Sequence, residues 1–343
     1  MKIGLVGYQA GGKSSIFELL TGTAPDISKA HTGQLGTATV PDQRFDDLVA
    51  LFNPKKISPA KIELFDTPGL SRDQGEGNAQ RMSVLREANV LIQVIGAYAG
   101  ADPLSDVQSF EEELMLADMQ VISNRIARLR ENIKKPRPDR DELQTELEFL
   151  EPIEVLLNEG QSLRSQEFSD EQEKHTKSFS LLTRKPLLVL INTAEADFDA
   201  DKLAAIEALG HPVIAAPAGL ELDVQQLDEA DRAEFAAELG LGEPCRKQLL
   251  RAIFEITEQI TFFTSDEKEV RAWLLRRGET AVEAAGTIHT DLARGFIRAE
   301  IMAVADLLRL GSEREVKAAG LHQLVGKEYV MRDGDEILVR FNV

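Results

Sequence analysis

Cysteine is almost absent from this chain: Cys245 stands alone among 343 residues. One cysteine can build neither a disulfide framework nor a zinc cluster, so it reads as inert packing in a protein of the reducing cytoplasm. Long apolar runs are missing too. The most apolar long stretch, Ala88–Ala101, is too short to span a bilayer and carries Asn89 and Gln93. No cleavable signal pattern opens the sequence, because Lys2 leads straight into a strand-like run and then glycines. A membrane partner is therefore not expected. Positive charge is in deficit, with a formal net charge of −19. That argues against nucleic-acid binding over the whole surface, so DNA is not expected, while leaving room for RNA at a local basic patch. Internal repeats and low-complexity segments are absent as well.

What is present is ordinary globular composition, 43% hydrophobic and 28% charged, at a length that suggests about two domains. Lys2–Val6 reads as a buried strand, and Ser14–Thr21 as a helix closed by Gly22. A short strand over Ala38–Val40, a helix over Asp42–Phe52 and strands over Lys61–Phe65, Val90–Ile95, Leu187–Ile191 and Pro212–Ala215 follow. Strands alternating with helices predict a mostly parallel sheet covered on both faces. Two long helical runs interrupt it. Ile122, Ile126, Leu129 and Ile133 form one apolar stripe, and Leu143, Leu147, Leu150, Ile153 and Leu157 another, with Pro136-Arg137-Pro138 between them. Most other positions there are charged, so the pair predicts an antiparallel helical hairpin, a coiled coil, with the polar Gln161–Lys177 returning the chain to the sheet. The last ~80 residues carry short β-like runs, at Val270–Leu274, Phe296–Ile301, Tyr329–Met331 and Glu336–Phe341, separated by Gly and Asp turns. They predict a separate small α+β domain.

Gly7-Tyr8-Gln9-Ala10-Gly11-Gly12-Lys13-Ser14 matches G-x-x-x-x-G-K-[ST] between a strand and a helix. Gly7, Ala10, Gly11, Gly12, Ser14 and Ser15 would wrap phosphates with backbone N–H groups at a helix N-terminus. Lys13 would neutralise the β- and γ-phosphates, and the Ser14 hydroxyl would ligate Mg²⁺. Asp66-Thr67-Pro68-Gly69 closes the next strong strand, where an Asp holds Mg²⁺ and the Gly amide senses the γ-phosphate. Ser71–Asn78, with Gly75 and Gly77, then reads as a switch loop. The polar run Thr23–Thr37 reads as a first switch. Thr32 is its candidate Mg²⁺ contact, with Thr37 and Thr39 as competitors. Leu70 occupies the position after the D-x-x-G where a water-orienting Gln would stand.

Asn192-Thr193-Ala194-Glu195 follows the apolar run Leu187–Ile191, where a GTPase carries Asn-Lys-x-Asp. In that motif the Asp accepts two hydrogen bonds from guanine and the Lys stem packs along the base. Thr193 and Glu195 replace both, which leaves a damaged guanine reader, a reader of another base, or a plain loop.

With these motifs in place, the chain resembles the YchF subgroup of the Obg-like P-loop NTPases over nearly its whole length. The likeness includes the helical insert after "DPLSDVQSFEEELMLADM". At the C-terminus, "AAGTIHTDLARGFIRAEI" and "GKEYVMRDGDEILVRFNV" resemble the family's TGS domain, a ubiquitin-like β-grasp; His289, within this signature, reads as a packed structural residue. The resemblance implies a preference for ATP, since members carry Asn-x-x-Glu in place of Asn-Lys-x-Asp. The chemistry of the bases agrees. Adenine lacks guanine's paired N1–H and N2–H₂ donors, so a carboxylate finds no partner, whereas the Asn192 amide can donate to N7 and accept from N6–H₂. Ala215–Ala218 would close over the base, with Ala218 in contact, while Glu195 turns away or holds the loop.

Several positions depart from the family. Ala10 and Gly11 replace an Asn and an aliphatic residue, so a monovalent-cation effect is not implied. The first switch is shortened before Thr32, and the second has lost residues around Gly77-Asn78. The family's His in the loop before the hairpin is missing, as no His lies between His31 and His175. The chain reads as a divergent paralogue.

The expected architecture is α/β: a GTPase-type P-loop NTPase domain (1–106 and 179–260), an inserted hairpin (107–178) and a TGS-like β-grasp domain (261–343). The expected function is that of a Mg²⁺-dependent ATPase with slow intrinsic hydrolysis, acting as a nucleotide-gated factor on the ribosome or a related RNP. The alternatives are a GTPase of the same fold and a nucleotide-responsive adaptor that scarcely hydrolyses. Arg125–Arg140 holds seven basic residues against two acidic ones, so the hairpin tip, with Lys134, Lys135 and Arg137, is the expected partner contact.

Overall fold

A computed structural model describes residues 1–72, 78–98 and 101–342. Its strands, in chain order, are β1 (Lys2–Val6), β2 (Gln34–Thr39), β3 (Lys56–Ser58), β4 (Lys61–Asp66), β5 (Val90–Ala97), β6 (Leu187–Thr193), β7 (Val213–Ala216), β8 (Gln259–Ser265), β9 (Glu269–Arg276), β10 (Phe296–Ala303), β11 (Gln323–Val325) and β12 (Asp335–Phe341). The helices that matter most to the site are α1 (Lys13–Thr21), α2 (Gln43–Phe52), α3 (Asn78–Leu85), α4 (Pro103–Ile133) and α5 (Arg140–Asn158). The chain divides into two compact units, Met1–Gly36 with Glu63–Ala252, and Thr37–Ile62 with Ile253–Val343.

The first unit is built on a sheet of order β2-β4-β1-β5-β6-β7, in which β1–β4, β1–β5, β5–β6 and β6–β7 are all parallel pairs. Parallel strands covered on both faces need apolar side chains throughout, and every residue of β6 is buried. Leu5 is in register with Asp66, so the loops leaving β1 and β4 emerge side by side.

Helix α4 starts sharply, with Asp102 accepting from the Ser105 N–H and Pro103 at its first turn. Phe110 and Leu114 pack into the sheet's core, and from Ile122 onward the same helix packs against α5 through Ile122, Ile126, Leu129, Leu147, Leu150, Ile153 and Leu157. Arg125 donates to both carboxylate oxygens of Glu146 at 2.7 and 2.6 Å, and Ser123 donates to Glu154, pairings that run antiparallel. The root of this hairpin is tied down by Asp118, which is fully buried. Its carboxylate accepts from Arg86 (2.7 Å), from the N–H groups of Leu182 and Thr183 (3.0 and 2.8 Å) and from the Thr183 hydroxyl (2.8 Å).

The second unit holds a mixed sheet of order β11-β10-β12-β8-β9-β3. β8–β9 and β10–β12 are antiparallel, while β12–β8 and β3–β9 are parallel. Ala281, Ala284 and Ala285, on a helix capped by a Thr280–Glu283 box, close over Phe262, Leu275, Ala299 and Ile337. Residues 37–62 cluster with this unit, although the sequence alone groups them with residues 1–106; β3 pairs with β9 from Lys56↔Glu269 to Ser58↔Arg271. Tyr329–Met331 does not form the expected strand and contributes only a bridge between Thr280 and Val330.

Candidate nucleotide site

The loop between β1 and α1 is held in a shape that few sequences tolerate. Gly7 and Gly12 have φ of 126° and 93°, and Ala10 adopts 62°. A Cβ on Gly7 would lie 2.6 Å from the Val94 carbonyl oxygen, and one on Gly12 would lie 2.0 Å from the Asn192 amide nitrogen. The loop is thus pressed onto the ends of β5 and β6. Gly12 caps α1 with no side-chain hydrogen bond, and Lys13 and Ser14 open the helix.

Lys13 is buried and donates to the carbonyls of Tyr8 (2.7 Å) and Gly7 (3.4 Å). Burial pulls its pKa down to about 8, against the opposing pull of Asp66. Ser14 donates from its hydroxyl to Asp66 Oδ2 at 2.7 Å. Burial pushes the Asp66 carboxyl up, although Ser14 and Lys13 both favour its ionised form. Asp66 Oδ1 is buried with no hydrogen-bond partner. A hydroxyl beside a carboxylate with an unsatisfied oxygen suits Mg²⁺, which takes one or two protein oxygens and completes its shell with phosphate and water. Among the described residues no group of three or more His, Cys, Asp or Glu could hold a metal, in keeping with so sparse a set.

These side chains share one cavity of about 380 Å³, lined also by Gln9, Gly69, Pro25–His31 (without Ser28), Gln34, Thr67 and Arg81. A Cβ on Gly69 would meet Lys13 Nζ at 2.8 Å and the Gln9 backbone at 3.0 Å, so Gly69, Lys13 and Gln9 converge on one point. Thr32 stays outside. It is exposed in a turn, with its N–H on the Lys29 carbonyl, while Lys29, Ala30 and His31 line the cavity in its stead. Gln34 shapes this segment by accepting from the Asp26 N–H (2.7 Å) and donating to the Ala24 carbonyl (3.2 Å). Residues 73–77 of the expected second switch lie outside the described residues. Leu70 is 1% exposed and turned into the core with Val6, Met82 and Leu85.

The base-side residues behave differently from the expectation. Asn192 is buried, and its amide is spent on the protein. It donates to the Gly11 carbonyl and the Tyr98 hydroxyl, and it accepts from the Ala218 N–H at 3.2 Å. It therefore ties the phosphate loop to the loop after β7, and the donor meant for a purine N7 is already engaged. The Thr193 hydroxyl donates to the Glu195 carbonyl at 2.6 Å, Glu195 itself is exposed, and Ala218 is fully buried. The Thr193 hydroxyl and the Ala218 N–H are thus both engaged within the protein.

Sequence reasoning missed Gln9, Arg81, Tyr98 and Glu113. Gln9 is a variable position of the phosphate-loop motif and the other three belong to no motif, so none has a residue-specific signal in the sequence. Glu113 of α4 accepts from the Tyr8 hydroxyl (2.9 Å) and from Asn78 (3.4 Å), linking the phosphate loop and the start of α3 to the hairpin. Arg81 donates to Asn78 at 3.2 Å. At the hairpin tip, Lys134 pairs with Glu131 (2.7 Å) and Arg137 with Asp139 (2.9 Å), while Lys135 is exposed. Cys245 is fully buried, and burial pushes its thiol up, as inert packing requires. His289 is structural without being packed: it is exposed, and its Nδ1 accepts from the Asp291 N–H to cap the following helix.

Comparison with known proteins matches this geometry to a family. Residues 2–125 match a family model described as "50S ribosome-binding GTPase", and residues 259–342 match the YchF GTPase C-terminal model, described as "Protein of unknown function (DUF933)". The ribosome-binding ATPase YchF of Bacillus subtilis is 35% identical over 365 aligned positions, covering 99% of each chain. This chain belongs to the YchF family. Another YchF, from Haemophilus influenzae, is 33% identical over all of this chain and 99% of its own. Obg-like ATPase 1 of Oryza sativa subsp. japonica is 33% identical across 100% of this chain and 92% of that protein. The solved structure of the Schizosaccharomyces pombe YchF GTPase shares the fold at a TM-score of 0.83 and 29% identity, over 99% of this chain and 97% of that one. The YchF fold, α/β with a P-loop GTPase-type domain, is thereby that of this chain.

Proposed function

We propose that the protein is a Mg²⁺-dependent P-loop ATPase with slow intrinsic hydrolysis, working as a nucleotide-gated factor on the ribosome. The observation that carries this reading is the convergence of Lys13, Ser14, Asp66 and Gly69 on one cavity at the ends of β1 and β4. Lys13 meets the phosphates as a point charge, and the N–H groups of the loop and of α1's first turn cradle them. Ser14 and Asp66 would hold Mg²⁺, whose charge neutralises the phosphate oxygens. Thr32 has no part in this set as placed. With Leu70 in the core, nothing at that position aligns water. Unassisted turnover is expected on the order of 10⁻³–10⁻² s⁻¹.

Adenine preference rests on Thr193 and Glu195, which offer neither a basic stem nor a short carboxylate to guanine. The B. subtilis, H. influenzae and rice relatives all carry ATPase in their names. Asn192 contributes by fixing the loops around the base. We place residues 1–106 and 179–260 as the nucleotide domain, except 37–62, which cluster with the C-terminal unit, and 107–178 as a hairpin of coiled-coil type. Residues 261–343 are placed as a TGS-like β-grasp, supported by the parallel pairing of β8 with β12, the first and last strands of that segment. GTP is the second reading, favoured by the GTPase title of the S. pombe structure. Competition of ATP, ADP, GTP and GDP against a fluorescent nucleotide tests it. ATP should win by about tenfold, some 1.4 kcal/mol, and equal or tighter GTP binding promotes the second reading.

A further inference from the structure

Hydrolysis of a phosphoanhydride needs a group that holds the attacking water in line with the bond to be broken. In this chain the residue after Gly69 cannot serve. Leu70 is 1% exposed, its N–H is on the Gly7 carbonyl (3.0 Å) and its carbonyl takes the Gln9 N–H (3.0 Å). Turning it outward would break both bonds and empty a slot in the core. The same pairing, with its parallel bridge between Tyr8 and Leu70, sets Gln9 beside Gly69. Gln9 is exposed and lines the cavity with Lys13, Ser14, Asp66 and Gly69.

Resting on the ATPase reading above, we propose that Gln9, inside the phosphate loop itself, orients the attacking water in place of the residue at Leu70. A carboxamide offers an acceptor for a water proton and two donors for a phosphate oxygen or the water. The other cavity residues are less suited. Lys29 and Arg81 accept nothing, and the Gln34 amide is spent on Asp26 and Ala24. The Thr67 hydroxyl is buried on the Leu5 carbonyl at 2.6 Å, and Asp66, bonded to Ser14 through Oδ2, is assigned to Mg²⁺. Asp26 has one carboxylate oxygen on the Ser28 N–H and hydroxyl (3.0 and 2.7 Å) and the other 3.8 Å from Lys29. Among the described cavity residues, His31 serves as the comparator. In the step itself the water oxygen bonds to the γ-phosphorus, and the bond from phosphorus to the β,γ-bridging oxygen breaks. ADP leaves with that electron pair. One water proton stays on the phosphate formed and the other is released to solvent, so Gln9 aligns the water and is not itself titrated.

The test uses the full chain with Mg²⁺ and compares wild type, Gln9→Leu and His31→Ala. Three quantities are read: ADP and ATP affinity, the single-turnover rate at saturating ATP, and capture of ADP with aluminium fluoride, a mimic of the in-flight phosphoryl group. Gln9→Leu should keep both affinities within about twofold, lower the single-turnover rate by at least about tenfold and lose the aluminium fluoride complex. His31→Ala should keep the aluminium fluoride complex and lower the rate far less than Gln9→Leu does. A Gln9→Leu protein that hydrolyses at the wild-type rate overturns the proposal and leaves the ATPase reading standing. So does a rate loss matched by an equal loss of affinity, or a loss confined to His31→Ala. A wild type that binds no nucleotide overturns the ATPase reading, and the role of Gln9 with it.

Discussion

Lys13 is the side chain on which binding turns, because its charge is already desolvated before any phosphate arrives. A buried ammonium resting on two carbonyls gains far more from a polyanion than a solvated one would. Lys13→Ala should therefore lower ATP affinity by at least about hundredfold, with the fold retained. Calorimetry reads it, and unchanged affinity sinks the site. Leu70 offers the opposite experiment. Leu70→Gln installs the residue that related nucleotide hydrolases use, yet here it would bury an unsatisfied amide. The expectation is a loss of about 1–3 kcal/mol in denaturant unfolding, with no gain in turnover. A faster enzyme would show that the side chain can reach the cavity after all. The contrast shows what a motif can tell: Lys13 and Asp66 are legible because their chemistry is local to the loop and the strand end. Gln9 and Arg81 are not, since only folding sets them beside Gly69 and Lys13. The position of Asn192 is legible in the sequence, but its partners Gly11, Tyr98 and Ala218 are not, because they are remote along the chain.

At the scale of elements, hydrophobic periodicity located the strands β1 and β4–β7 and helix α5 to within a few residues, but of α4 it marked only the stretch from Ile122, although the helix begins at Pro103. It failed where a strand depends on distant pairing. The three-residue β3 exists through β9, more than two hundred positions away, and carries no apolar run of its own. β8 also went unread, although its inner residues Ile260–Phe263 are buried. The basic tip was legible as composition, but not its neutralisation. Arg125 and Arg130 pair with Glu146 and Glu151 of α5, and such pairs become visible only when the helices are aligned. The hairpin root is a stronger element than the tip. Asp118 satisfies two backbone N–H groups, a hydroxyl and a guanidinium at a fully buried position. Asp118→Ala would leave Arg86 largely buried without its carboxylate and two amides unpaired. Stability should fall by roughly 3–5 kcal/mol. A chemical denaturation midpoint unchanged from wild type would show that water replaces the carboxylate.

On the scale of the whole molecule, the charge is uneven, and that unevenness bears on the partner. A chain of net charge −19 is repelled by an RNA surface, so any contact must be made by a segment that escapes the average. The hairpin tip is such a segment, although the ion pairs reduce what it offers. Lys134 and Arg137 each keep an acidic neighbour, Glu131 and Asp139, and both cations remain exposed at 69% and 43% of their side-chain surface. Exposed pairs of this kind are screened by water and held weakly, so a phosphate backbone can draw the cation away. Lys135 stands beside them at the turn. Reversing Lys134, Lys135 and Arg137 to Glu would replace three cations at the tip with anions that a phosphate backbone repels. Cosedimentation with ribosomes should then fall by at least about tenfold at low salt, while the wild type should lose binding steeply as salt rises. The nucleotide should matter as well. Tyr8 and Asn78 both donate to Glu113 on the helix that runs on to the tip, so a change at the phosphate loop would have a direct route to the hairpin's base. ATP and ADP should therefore give different sedimented fractions. Equal sedimentation of wild type and variant in every nucleotide state would show that the tip is not the contact, and would favour a nucleotide-responsive adaptor that meets its partner elsewhere.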